Sequence, residues 1–325
     1  MSERKQQPKS YLPALTLLRG VAALMVVGFH LFNRDFGFDP KVKTFFSYGH
    51  LGLDLFFLIS GFVLPYAMYQ KKYQIKQFFK FLLKRLVRIE PPYIISFVLI
   101  VCVRFVHCEI YGYNFVMDWP QFWTHFLYLN QYFGHEGYAV VFWTLAIEFQ
   151  FYLIIGLTFP LFMHSSSIVK LATIAVFSVL CFWVNTPYNW FIFQYGFLFL
   201  LGILTFQFYV KHISAKFYSI LAMLAVIGIF QTLGVAIAIT AVLGVAAIFF
   251  IQREWKVTNF FGDISYSLYL THTELSGWFV LYTSSYFSSK LSAWLVAFIL
   301  CIGFAFVYHK LIEKPFLKLS KRIKY

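Results

Sequence analysis

Runs of about twenty mainly apolar residues recur ten times along this chain of 325 residues, and each is long enough to cross a bilayer as a helix. They fall at 14–33, 51–70, 92–110, 140–162, 168–185, 190–209, 216–233, 235–252, 262–282 and 291–312. A soluble core does not absorb such a sequence. The chain is 60% hydrophobic and 12% charged, where soluble domains run at roughly 45–50% apolar and about 25% charged. The expectation is an all-α polytopic membrane protein of about ten transmembrane helices. It forms one membrane-embedded domain over 1–325, with a core from about 14 to 315 and no separate soluble domain. From Ile220 to Ile251 the apolar sequence is almost unbroken, too long for one span, and reads as a tight hairpin folded near Gly234.

The net charge of +14 invites a nucleic-acid reading, but its distribution excludes one. With the N-terminus cytoplasmic, the inner segments are the N-terminal tail, 71–91, 163–170, 210–216, 252–261 and the C-terminal tail counted from Lys310, and together they hold 21 of the 27 Lys and Arg. The outer connections hold Arg34, Lys41, Lys43 and Lys290, while Arg19 and Arg104 lie within spans. Short basic connections beside apolar spans fix topology against an anionic inner leaflet. An even number of helices with both termini cytoplasmic follows. The N-terminal Ser2–Pro13 is polar and the first span lacks a small-residue cleavage site, so that span is expected to be retained. Cys102, Cys108, Cys181 and Cys301 form no disulfide framework. His107-Cys108 with His50, His125 and His135 does not have zinc-ligand spacing, so no metal is expected.

Two connections are more than turns. Lys71–Pro91 is basic and interleaved with Phe78, Phe79, Phe81, Leu82, Leu83 and Leu86, which predicts an amphipathic interfacial helix ended by Pro91-Pro92. Glu109–Ala139 has no Lys or Arg and eleven Tyr, Trp and Phe residues; it is expected to pack on the outer face. No internal repeat of the transporter kind is visible.

Ionisable groups inside spans are costly and mark function by default. Arg19 and His30 lie eleven residues apart on the first span, nearly on one helical face and roughly 16 Å apart along the axis. The plainer alternative is two residues snorkelling at the ends of an ordinary span. Asp54 enters the second span about one turn from the outer boundary, where it also suits the free N–H groups of a helix start. Glu148 lies about two turns into the fourth span, where an interhelical hydrogen bond is its structural alternative. A histidine oriented by a carboxylate is a common general-base arrangement. Arg85 and Arg88 share a helix face and suit phosphates as a fork. Ser265, Tyr269 and His272 recur at helical spacing in the ninth span and predict a polar channel lining.

Six blocks, in order, resemble the acyltransferase-3 family of integral-membrane acyltransferases that O-acylate surface polysaccharides and related glycans. Arg19 and His30 match its Arg-x10-His signature. Gly52 to Phe62 match Gly-x-Asp-Leu-Phe-Phe-x-x-Ser-Gly-Phe. Arg85, Arg88, Ile89, Pro91 and Tyr93 match Arg-x-x-Arg-Ile-x-Pro-x-Tyr. Trp143 to Tyr152 match Trp-Ser-Leu-x-x-Glu-x-Gln-Phe-Tyr, Ser265 to His272 match Ser-Tyr-x-x-Tyr-x-x-His, and Glu313 to Pro315 match the Glu-Lys-Pro ending. Thr144, Phe149 and Glu90 depart from the usual residues, and Phe149 makes the surroundings of Glu148 less polar.

The resemblance implies a multi-pass protein of the plasma (inner) membrane using cytosolic acyl-CoA, most commonly acetyl-CoA, with succinyl as an option. Arg19, Arg85, Arg88 and Tyr93 would serve the donor. His30 would act as general base with Asp54 or Glu148, and Trp143, Ser265, Tyr269 and His272 would line the substrate channel. The implied acceptor is a hydroxyl of a glycan or a lipid-linked sugar, met at the membrane lipid, with no nucleic acid involved. The runner-up is a transporter or flippase for a glycan or lipid-linked sugar, its buried charges marking a translocation path; a sensor or scaffold without turnover is a third reading.

Overall fold

The structure is a computed structural model and describes residues 12–32, 40–130, 133–135, 141–184, 191–283, 287 and 289–324. The N-terminal tail, Arg34, Tyr132 and the end of the aromatic outer segment lie outside the described residues. Among the described residues every regular element is helical. They are α1 (Pro13–Phe32), α2 (Pro40–Ser47), α3 (Leu51–Gln70), α4 (Phe78–Tyr111), α5 (Trp119–Phe126), α6 (Trp143–Phe162), α7 (Ser167–Trp183), α8 (Gly196–Tyr209), α9 (Ala215–Leu233), α10 (Val235–Phe250), α11 (Lys256–Thr283), α12 (Lys290–Tyr308) and α13 (Lys314–Arg322).

Among the described residues, helices occupy the greater part of the expected apolar runs. Among the described residues seven helical stretches are long and apolar enough to cross a membrane, and α7 and α10 are shorter apolar helices. The apolar stretch from 220 to 251 does turn at Gly234, between α9 and α10, where φ is +94°. That backbone conformation disfavours residues with a Cβ, so the one glycine at the junction decides where the hairpin folds.

One expectation is corrected. Pro91-Pro92 does not end a separate interfacial helix, because α4 runs unbroken from Phe78 to Tyr111 with both prolines inside it. Proline removes a backbone donor and crowds the preceding turn, so neighbours must hold the helix there. Tyr266 donates its hydroxyl to the carbonyl of Ile89 at 2.9 Å, and the Tyr308 hydroxyl donates to the carbonyl of Pro92. Phe81 is fully buried and Phe79 largely exposed, so the amphipathic half expected from the sequence is present within the longer helix.

Small residues set the crossings. Gly20 and Gly262 bring α1 against α11, and Gly61 and Gly202 bring α3 against α8; a Cβ at any of the four would collide with the facing helix. Close backbone approach at small residues is how helices pack where lipid gives no hydrophobic drive between them. Among the described residues these two crossings are the most extensive helix contacts. They place α1 at the centre, between α3 and α11, and therefore fix where Arg19 and His30 sit.

Candidate active site

Five helices, α1, α3, α4, α6 and α11, enclose a cavity of about 110 Å³. Its wall contains five residues singled out in the sequence: Arg19, Arg85, Arg88, Glu148 and Tyr269. The length of α4 explains part of this. Because α4 does not break at Pro91, Arg85 and Arg88 are carried up into the bundle on the same rod as the third span. Arg85 is buried, with its guanidinium 5.6 Å from the centre of the Phe81 ring. Arg19 is within electrostatic reach of Arg88, Glu313 and Glu148.

Glu148 accepts from the Tyr152 hydroxyl, one turn further along α6, at 2.6 Å and from Ser60 on α3 at 3.3 Å. Tyr269 donates to the carbonyl of Val141 at 2.9 Å and shares a hydrogen bond with the Thr144 hydroxyl, which ties α11 to the start of α6. Tyr266 and Ser60 add further hydroxyls to the wall. A second buried acid, Glu313, follows α12 in a π-helical turn. It accepts from Ser267 at 2.6 Å and pairs with His309 at 2.9 Å. Three guanidinium groups therefore meet one carboxylate in the wall and a second nearby, a positive surplus that suits a polyanionic ligand.

The histidines lie one step away. His272 is fully buried, and its Nδ1 sits 3.0 Å from the carbonyls of both Leu268 and Tyr269. Those acceptors assign the proton to Nδ1 and leave Nε2 as the basic nitrogen of the neutral ring. His30, in the last turn of α1, is half-buried with its ring centre 5.1 Å from that of His272. The Tyr269 ring centre is 6.0 Å from that of His272. Cavity, Tyr269, His272 and His30 thus form a continuous line of polar rings.

Other residues from the sequence fall elsewhere. Asp54 is buried and within electrostatic reach of Tyr195. The Trp143 ring lies 5.7 Å from the same tyrosine, so these two meet beside α8 rather than in the cavity wall. Ser265 spends its hydroxyl on the carbonyl of Gly262 within α11. Tyr93 is buried under α5, donating to the His125 carbonyl at 3.1 Å and stacking on Tyr128. In that outer helix, burial and the nearby charges of Arg104 and His135 push His125 down to about 4. Among the described residues no group of three His, Cys, Asp or Glu is placed to hold a metal.

Sequence reasoning missed the roles of Ser60, Tyr152, Tyr266 and Glu313. Tyr152 was within reach of it, since a tyrosine four residues after a buried glutamate shares its face. The Glu313–Ser267 contact joins residues 46 positions apart and leaves no local signal.

Known proteins place this arrangement. The family model described as "Acyltransferase domain", of the acyltransferase-3 type, matches residues 12–310. A protein of the Acidianus two-tailed virus named as an acetyltransferase, ORF330, is 29% identical over 187 residues, covering 56% of this chain and 51% of its own length. The peptidoglycan O-acetyltransferase OatA of Listeria monocytogenes is 27% identical over 47% of this chain and 25% of its own length. The O-acetyltransferase OatA of Staphylococcus aureus is 28% identical over 50% and 27%. The matched region thus spans about half of the viral protein and about a quarter of each bacterial one. No solved structure matches the chain. With seven membrane-length apolar stretches and a family match over nearly its whole length, this chain is a multi-pass membrane protein belonging to the acyltransferase-3 domain family.

Proposed function

We propose that the protein is an acyl-CoA-dependent O-acyltransferase of the plasma membrane that moves an acetyl group to a hydroxyl of a glycan or lipid-linked sugar. The observation that carries this reading is the cavity itself: Arg19, Arg85 and Arg88 face one buried space beside Glu148, and a histidine pair begins where Tyr269 leaves its wall. The donor set fits the phosphates of coenzyme A, because guanidinium forks bind phosphate with two hydrogen bonds each. The cavity, of about 110 Å³, takes part of the pantetheine arm, so the nucleotide end lies outside it and the thioester reaches past Tyr269 toward His272 and His30. The glycan acceptor follows from the likeness to proteins named for O-acetylation, one of them of peptidoglycan.

In this reading the donor supplies a thioester carbonyl with a thiolate leaving group. Arg85 and Arg88 hold phosphate, and Arg19 fixes the approach to the bundle. An imidazole nitrogen of His30 takes the proton of the acceptor hydroxyl as its oxygen attacks. The proton then leaves with the thiol. General-base help of this kind is typically worth about 10²–10⁴-fold in rate. His272 stabilises the imidazolium of His30 through Nε2, and Glu148 balances the arginine charge in the cavity. Asp54 holds the outer entrance of α3 with Trp143 and Tyr195, and Tyr93 steadies α4 under the outer helix.

The test uses membranes containing the protein, radiolabelled acetyl-CoA and a purified glycan. Release of free CoA together with label in the glycan, both dependent on acceptor, is the expected result. Glycan movement across sealed vesicles without CoA release would replace this reading with a transporter.

A further inference from the structure

A second polar corner lies at the junction of the α6–α7 and α8–α9 connections and shares no residue with the arginine cavity. Lys170, in the first turn of α7, is 7% exposed. His212, in the turn after α8, is within electrostatic reach of it and bonds the His164 backbone. The other ring nitrogen of His212, Nε2, is buried without a hydrogen-bond partner. Gln207 is fully buried, and its Nε2 donates to the carbonyl of Phe162 at 2.5 Å, while its Oε1 has no partner.

The sequence contains no Asp or Glu between Glu148 and Glu254. The elements that build this corner therefore supply no carboxylate to Lys170 and His212. Lys170 is a buried side chain whose charge has a second cation-forming group, His212, beside it and no carboxylate from these elements, surroundings that favour an anionic partner. Burial and Lys170 push His212 below its ordinary value, as expected where a counter-charge is lacking. The start of α7 adds to the same field. Ser166 at its N-cap makes no side-chain cap, so the first backbone N–H groups of a 17-residue helix point outward with the positive end of its dipole.

We propose that this corner binds a phosphate group, seated between Lys170, His212 Nε2 and the start of α7, with Gln207 Oε1 accepting from the Lys170 ammonium or a phosphate hydroxyl. Two sources carry that chemistry: the headgroup of an anionic phospholipid, which meets the protein where its apolar helices end, and free inorganic phosphate. The site is separate from the proposed acyl transfer and does not depend on it.

Thermal unfolding of the purified full chain in detergent distinguishes the cases. The probes are dioleoylphosphatidylglycerol, phosphate-free dioleoylglycerol, and inorganic phosphate at constant ionic strength. A ligand bound only to the folded state raises Tm, here by about 2–4 °C. The expected result is a rise with phosphatidylglycerol and none with dioleoylglycerol. Lys170→Met cuts the rise to under half, and Lys170→Arg keeps it. A rise with inorganic phosphate alone, lost in Lys170→Met, supports the site and assigns free phosphate as its ligand. His212→Gln serves as a second variant and predicts the same loss if Lys170→Met does not fold. No rise with either phosphate probe, or an equal rise in wild type and variants, overturns the proposal.

Discussion

Individual side chains carry the sharpest expectations. His30→Ala is predicted to lower acyl transfer by about 10²–10⁴-fold with unchanged protein level and Tm, because His30 is only half-buried at the end of α1; turnover in membranes, normalised to protein, is the readout. Arg85→Gln is predicted to raise KM for the donor well above any change in KM for the acceptor, since its guanidinium faces the cavity; equal losses in both would remove its phosphate role. His125 gives a pH signature outside the spans. Its folded value lies near 4, below the ordinary 6.5 of an unfolded histidine. Above pH 6.5 the ring is neutral in both states and costs nothing. As pH falls from 6.5 toward 4 the unfolded chain takes a proton that the fold refuses, so stability drops by up to about 3 kcal/mol. Tm measured across that range is expected to fall, and His125→Phe, which keeps the stack on Phe97, is expected to flatten the fall.

At the scale of elements, the apolar runs announced the membrane-length helices found among the described residues, and the glycine at 234 announced the hairpin, because both signals are local. The extent of α4 was not legible. Pro91-Pro92 locally argues for a stop, and what overrides it comes from Tyr266 and Tyr308, more than 170 residues away. The cavity was half legible for the same reason. Arg19, Arg85, Arg88, Glu148 and Tyr269 stand out as polar residues in apolar surroundings, yet their meeting depends on crossings at Gly20, Gly61, Gly202 and Gly262 that no local pattern specifies. Glu313 joins α11 to the end of α12 through Ser267 and His309. Glu313→Ala leaves both partners unpaired and is predicted to cost about 3 kcal/mol, seen as a lower Tm in detergent, while Ser267→Ala, which removes one bond, costs about 1 kcal/mol.

For the whole molecule, the distribution of its positive charge predicts that both termini face the same side of the membrane. Reporter tags at the two ends are expected to give the same protease accessibility in sealed vesicles; opposite accessibility would mean an odd number of spans. In the proposed reaction that topology would let a cytosolic donor and an outer glycan meet in one bundle, with Arg19 in the cavity wall and His30, eleven residues further along α1, marking the two ends of the route. The most direct test is NMR of surface glycans from cells lacking the gene, then restored with wild type or His30→Ala. The account predicts loss of an acetyl signal on deletion, its return with wild type, and its absence with His30→Ala at equal protein level. Unchanged acylation on deletion, with altered amount or export of glycan, would contradict it.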